Sequence, residues 1–200
     1  MASGERLNVD IQPPRKPKII YDSIIINKKK FAIISSWIEK KNQYYYNEKN
    51  IPYDFNLISR ASRDGYTNTA FHEKCDNKGA TIVVIKIANS EKIVGGYNPL
   101  FWDSSNTFKS TYDSFLFSFT NKDNHKSAKL LFSLLNKDNL QSANYGPAFG
   151  GGGYYNGTWY SNTNVNNSYP NIGIPANFKA DDFEVFQVIK SYNNFDKFFE

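Results

Sequence analysis

The sequence predicts a mainly β domain, a sandwich of two antiparallel β-sheets flanked by small α-helices. Three observations point there. The apolar stretches are short and rich in β-branched and aromatic residues, as in ATIVVIKI (80–87) and KIVGGYNPL (92–100). SFLFSF (114–119) alternates with a period of two, which sets Phe115, Phe117 and Phe119 on one face. Helical patterns are few, and no βαβ rhythm or internal repeat separates the strands.

Taken in order, residues 1–18 end in PPRKPK, lack apolar periodicity and read as a flexible or extended lead-in. Residues 19–50 form a strand, a helix and a loop. IIYDSIII (19–26) is β-branched and strand-like. The spacing of Phe31, Ile34, Trp37 and Ile38 predicts a helix over 31–41, with Asn27 as N-cap. Asn42 to Ile51 is a polar, Tyr-rich loop. The main domain occupies 51–192, and 193–200 is a C-terminal tail.

Within that domain FNLISRASRDGY (55–66) is an apolar stretch closed by the turn signal Asp64-Gly65. Asn68 to Cys75 predicts a short helix capped by Thr67 or Asn68. Phe71, Lys74 and Cys75 share its face, and Gly79 serves as a left-handed stop. ATIVVIKI, the turn NSEK (89–92) and KIVGGYNPL make an antiparallel hairpin. Further strands are expected at Asp113–Phe119, Lys129–Leu135, around Trp159 and at Phe183–Ile189. Residues 144–178, rich in Gly, Asn and Tyr, read as a long ordered loop or loosely paired region.

Composition excludes several classes. With 40% hydrophobic and 16% aromatic residues the chain is globular rather than disordered. No apolar run approaches the roughly 20 residues of a membrane helix, and no signal-peptide pattern opens the chain, so a cytoplasmic location is expected. The sequons Asn156-Gly157-Thr158 and Asn166-Asn167-Ser168 would then go unused. A single cysteine excludes an intrachain disulfide framework and a Cys-rich zinc site. The net charge of +5 belongs to the N-terminal quarter. Residues 1–50 hold ten Lys/Arg against five Asp/Glu, whereas the other 150 hold 14 of each. Runs such as Lys28-Lys29-Lys30 read as solvated surface, and no nucleic-acid signature accompanies them.

Four constellations are candidates for chemistry. In FHEKCDNKG (71–79), His72 and Cys75 sit at i and i+3, but His125 is the one other histidine and no spacing announces further ligands, so no metal is assigned. As a redox thiol Cys75 needs exposure. Its place at a helix C-terminus disfavours a thiolate, and sharing a face with Phe71 favours a buried, structural cysteine. In PAFGGGGYY (147–155) the glycines lack the following helix of a phosphate loop, which leaves sharp bending or close sheet contact; Gly95 and Gly96 invite the same reading. Tyr154, Tyr155, Trp159 and Tyr160, interleaved with asparagines, form a candidate recognition loop for sugars or protein. Asp182 and Glu184 point to one side of a strand as a potential acid pair, against the commoner reading of solvated strand-edge carboxylates. No nucleophile elbow or Ser–His–Asp arrangement is visible.

Six blocks in colinear order, FNLISRASRDGY, FHEKCDNKGATIVVIKI, KIVGGYNPLFWDS, DSFLFSF, NYGPAFGGGG and DDFEVFQV, resemble a TLDc domain, the module of the oxidation-resistance proteins and nuclear receptor coactivator 7. The resemblance runs from about Tyr53 to Ile189. The segment DSIIINKKKFAIISSWIEKK (22–41) resembles what precedes this domain in fungal proteins that also carry a BTB domain, which these 200 residues do not include. The resemblance implies two antiparallel sheets edged by helices, a role in oxidative-stress protection, and contact with the vacuolar proton pump, the V-ATPase. It brings no settled catalytic mechanism and no cofactor. By position, Gly95 and Gly96 match the family's glycine turn, Gly150, Gly151 and Gly152 its FGGG block, and Glu184 its terminal E-V/I-F/W strand. Tyr154 stands where many animal members place an acidic residue.

The resulting expectation is a protein-interaction domain that is not an enzyme, with V-ATPase subunits as candidate partners and no nucleic acid. The rivals are a thiol-dependent antioxidant enzyme using Cys75, and a carbohydrate-binding sandwich using Trp159 and its neighbouring tyrosines.

Overall fold

Asn27 starts the first helix, as its sequence position suggests: its side chain accepts the N–H of Lys30 at 3.2 Å. The computed structural model describes residues 21–109, 111–124, 128–132, 139–141, 144–149, 152–161 and 173–191. Helix α1 spans Lys28–Ile38, three residues earlier at each end than the apolar spacing implies. The cap fixes the start, so the lysine run becomes the first turn, and Lys40 at φ 53° takes the chain out of helical geometry. The strand expected over 19–26 is not found at 21–26; Ile19 and Ile20 lie outside the described residues. Ser23 bends the chain instead, its hydroxyl accepting the N–H groups of Ile25 (3.2 Å) and Ile26 (3.0 Å).

Strand β1 (Tyr53–Arg60) leads into a single turn of helix, α2 (Ala61–Asp64), which Gly65 ends at φ 110°. Helix α3 (Asn68–Cys75) is capped by the Thr67 hydroxyl, which accepts from Ala70 N at 3.1 Å. Phe71 and Cys75 face inward, while Lys74 is exposed and does not share their face. The helix stops at Asp76 in extended conformation, three residues before Gly79, and Asn77 is the first left-handed residue.

The predicted hairpin is present as β2 (Thr81–Ile87) and β3 (Ile93–Asn98), in antiparallel register with Val83 opposite Gly96. After β4 (Thr107–Lys109) come β5 (Phe115–Phe119) and β6 (Lys129–Phe132), the latter in the described part of the strand expected over 129–135. Then follow β7 (Asn139–Gln141), β8 (Ala148–Phe149), β9 (Gly152–Tyr155), β10 (Thr158–Tyr160), β11 (Asn177–Phe178) and β12 (Ala180–Lys190).

These strands form a six-stranded antiparallel sheet in the order β1-β12-β2-β3-β5-β6 and a four-stranded one in the order β11-β10-β9-β8; β4 and β7 pair separately. The sandwich predicted by the sequence is therefore present. The last long strand, β12, inserts between β1 and β2, so the ends of the domain are closed on each other.

The larger sheet is covered on both faces, which is why TIVVIKI is apolar without alternation. Ile82 and Val84 join one cluster with Phe31, Ile34 and Trp37 of α1. Val83, Ile85 and Ile87 join another with Phe149, Tyr154 and Trp159 of the smaller sheet and Phe71 and Cys75 of α3. Phe115, Phe117 and Phe119 do share a face, fully buried, with ring centroids 6.2, 6.1 and 5.7 Å from that of Trp37. Each such ring contributes about 1.5–3 kcal/mol through burial.

Candidate functional site

Of the carboxylates of the acidic strand, Asp181 is exposed but Asp182 and Glu184 are not solvated. Asp182 and Glu184 lie on one side of β12, separated from its start by a bulge, and both are buried, Glu184 completely. Each has its own partners. Glu184 accepts from Ser23 Oγ (2.5 Å), Ile24 N (2.9 Å) and Arg60 Nε (2.9 Å). Arg60 in turn donates through Nη2 to Asp22 at 2.9 Å. Asp182 accepts from Ser62 N and Oγ at 3.0 and 2.5 Å. Burying a carboxylate in a central strand is costly unless its oxygens are matched, and here they are matched by donors from three parts of the chain. Glu184 thus fastens the 21–26 segment and β1 to β12.

Gly95 and Gly96 form no turn, contrary to the family-based expectation. They lie mid-strand in β3, and neither has the positive φ that would mark a left-handed residue. Close approach on opposite faces explains both. A Cβ on Gly95 would fall 2.1 Å from Val83 O and 2.5 Å from the Phe117 ring. One on Gly96 would fall 2.6 Å from the Phe149 ring. Phe149, from the PAFGGGG block, therefore seats the second sheet on the first through Gly96. Gly152 pairs with Phe149, and Gly153 packs where a Cβ would lie 2.7 Å from that of Ala148. Gly150 and Gly151 lie outside the described residues.

Cys75 is fully buried, and burial pushes its thiol well above the ordinary range, with Asp76 and Asp64 adding to the shift. His72 faces elsewhere. Its Nδ1 is 2.8 Å from Asp76 Oδ1 and its Nε2 2.8 Å from Tyr145 O, so both nitrogens join α3 to its surroundings. Among the described residues no group of three His, Cys, Asp or Glu is placed to hold a metal; His125 lies outside them.

The candidate recognition loop divides. Tyr154 and Trp159 are core residues, 3% and 4% exposed, packed against Phe183 at 5.8 and 5.4 Å between centroids. The period-two pairing of β9 with β10 turns them inward opposite each other and leaves Tyr155 and Tyr160 exposed. These two strands are joined at Asn156-Gly157, both in left-handed conformation. That dipeptide is the strongest short hairpin signal a sequence offers. Asn162, Asn164, Asn166, Asn167 and Tyr169 lie outside the described residues.

Lys30 also departs from expectation. It is 1% exposed within a run read as solvated, its Nζ lies 4.4 Å from the centroid of Phe119, and it donates to Asn124 O at 3.4 Å. Burial brings its pKa down to about 8, against an opposing effect of Asp123.

The residues singled out by sequence are thus joints: Phe149 on Gly96 between sheets, Glu184 between strand and N-terminal segment, Cys75 on the buried face of α3. No helix among the described residues is long and apolar enough to cross a membrane. A search of curated proteins finds no match. The family model of the TLDc domain matches residues 19–189, a span that takes in α1 and both sheets, and the chain belongs to the TLDc domain family.

Proposed function

We propose that this chain is a protein-interaction domain of the TLDc type, acting in oxidative-stress resistance in the cytoplasm without catalysis of its own, with subunits of the V-ATPase among its partners. One observation carries the reading. The residues of the family blocks are engaged in holding layers together, as Phe149 and Glu184 are, so what the domain offers to others is its outer surface. The thiol route is poorly supported, because a fully buried Cys75 with a raised pKa is a weak nucleophile.

The test is capture of V-ATPase subunits on the immobilised chain from a lysate prepared under conditions that disassemble the pump. Their recovery is the expected result, and their absence overturns this partner. In parallel, cells expressing the chain are challenged with peroxide. Equal protection by wild type and Cys75→Ser is expected, and loss of protection in the variant would reinstate the thiol enzyme.

A further inference from the structure

A hollow of about 580 Å³ lies between α1 and the loop that follows it. Lys29, Ala32 and Ile33 supply the helix side, and Tyr44, Tyr46 and Lys49 the loop side. It is a shallow depression, widely open to solvent, of a size that takes a side chain or two of a partner rather than enclosing a small molecule. The loop is braced from within. Tyr46 N donates to Ser36 Oγ of α1 (3.0 Å), Lys41 N to Ser36 O (2.8 Å), Tyr44 N to Asn42 Oδ1 (3.0 Å) and Asn47 N to Asn50 Oδ1 (2.7 Å). A hollow held open by such bonds costs a ligand little ordering entropy.

The chemistry of the walls selects the occupant. Ala32 and Ile33 lie beneath the floor, 1% and 3% exposed, so the apolar surface open to a ligand is chiefly that of the Tyr44 and Tyr46 rings. Lys29 and Lys49 stand exposed on opposite sides, and neither ammonium has an ion-pair partner among the described residues. Glu48 is the one carboxylate in the lining, and outside it the Lys41 ammonium lies 5.8 Å from the centroid of the Tyr45 ring. Tyr44 and Tyr45, each 57% exposed, present rings beside these lysines, an aromatic and cationic surface of the kind enriched at binding interfaces. Gln43 and Asn47 bring amides able to bond a peptide backbone.

We infer that this hollow is a docking site for an acidic peptide segment of a partner protein, one that places an apolar side chain against the Tyr44 and Tyr46 rings and carboxylates against Lys29 and Lys49. The inference rests on the reading of the chain as an interaction domain and adds the surface and the partner's chemistry. A concave site favours a peptide over an anionic bilayer, whose flat surface reaches the lysines without filling the hollow.

The probe is a fluorescein-labelled peptide of about ten residues, Asp and Glu around a central Leu, titrated with the full chain. Controls are the same peptide with Asn and Gln in place of the acids, and vesicles containing phosphatidylserine. Binding of the acidic peptide alone is expected. It weakens as ionic strength rises, and falls at least about tenfold in Lys29→Glu/Lys49→Glu, whose exposed sites leave folding intact. Tyr44→Ala should weaken it as well. Equal binding of acidic and amide peptides, unchanged affinity in the double variant, or capture by vesicles without peptide binding each overturn the inference. If V-ATPase subunits are recovered equally by wild type and double variant, the interaction domain stands and this hollow is not its surface.

Discussion

Arg60 Nε donates to Glu184 Oε1 across 2.9 Å, although 124 positions separate the two residues in the chain. Glu184 has no exposed surface and the Arg60 side chain only 14%, so the pair is held largely away from water. In that setting the charges depend on each other. The same carboxylate binds Ser23 and Ile24, so one side chain joins the first described segment to the last strand.

Glu184→Gln keeps the shape and removes the charge. Arg60 would retain only the more exposed Asp22, and the expected loss is about 3 kcal/mol in urea unfolding. Amide exchange at Ile24 to Ile26 should quicken at the same time. A double variant with Arg60→Met should lose less than the sum of the single changes. Strict additivity would mean that the pair is not coupled.

The two glycines of β3 should differ. Alanine at Gly95 meets a backbone oxygen of the neighbouring strand, which can move only with the sheet, and about 3 kcal/mol or more is expected. Alanine at Gly96 meets ring atoms of Phe149, whose side chain can give, so about 1–2 kcal/mol is expected. Chemical denaturation of both variants checks the order, and the reverse order would contradict the close-approach account.

Cys75 should react with a maleimide only through opening of the fold, about a thousandfold more slowly than in urea. Cys75→Ser should cost about 1–3 kcal/mol, because a hydroxyl replaces a thiol where water is absent. Rapid labelling of the native chain would show that the thiol is accessible.

Lys30 gives the stability a pH dependence of known sign. With its folded pKa near 8 and its unfolded value at 10.5, both states hold the proton below pH 8, and the folded state then bears the full cost of burying it. Between about pH 8 and 10.5 the folded state releases the proton first, so this contribution to stability rises with pH. Cys75 and the buried tyrosines act oppositely from about pH 9 upward, since their raised values keep them neutral only in the folded state. The readout is therefore a difference. Lys30→Met should be more stable than wild type at pH 7, by about 1–3 kcal/mol, and the gap should narrow by pH 10.

Much of the fold was legible because local rules decide it. Thr67 and Asn27 cap their helices, Phe115, Phe117 and Phe119 line one face, and ATIVVIKI pairs with KIVGGYN across NSEK. The smaller sheet was less so, because glycines and asparagines carry little periodicity: 144–178 reads as a loop or loosely paired region, and Asn156-Gly157, the turn of one of its hairpins, stands out in the sequence only as part of a sequon. The candidate site fared worse. Tyr154 and Trp159 look alike in sequence to Tyr155 and Tyr160, and only pairing register sends the first two into the core.

The sequence by itself determined the class of fold, the TLDc membership and the short elements, since capping, alternation and block order act over a few residues at a time. Tertiary structure alone decided what the polar and glycine positions are for. Glu184 is a buried anchor because Arg60 and Ser23 converge on it from far along the chain. Gly96 is a seat because Phe149 arrives from the other sheet. Lys30 is buried because Phe119 lies beneath it. Each depends on a contact between residues more than fifty positions apart, and no local pattern encodes such a distance.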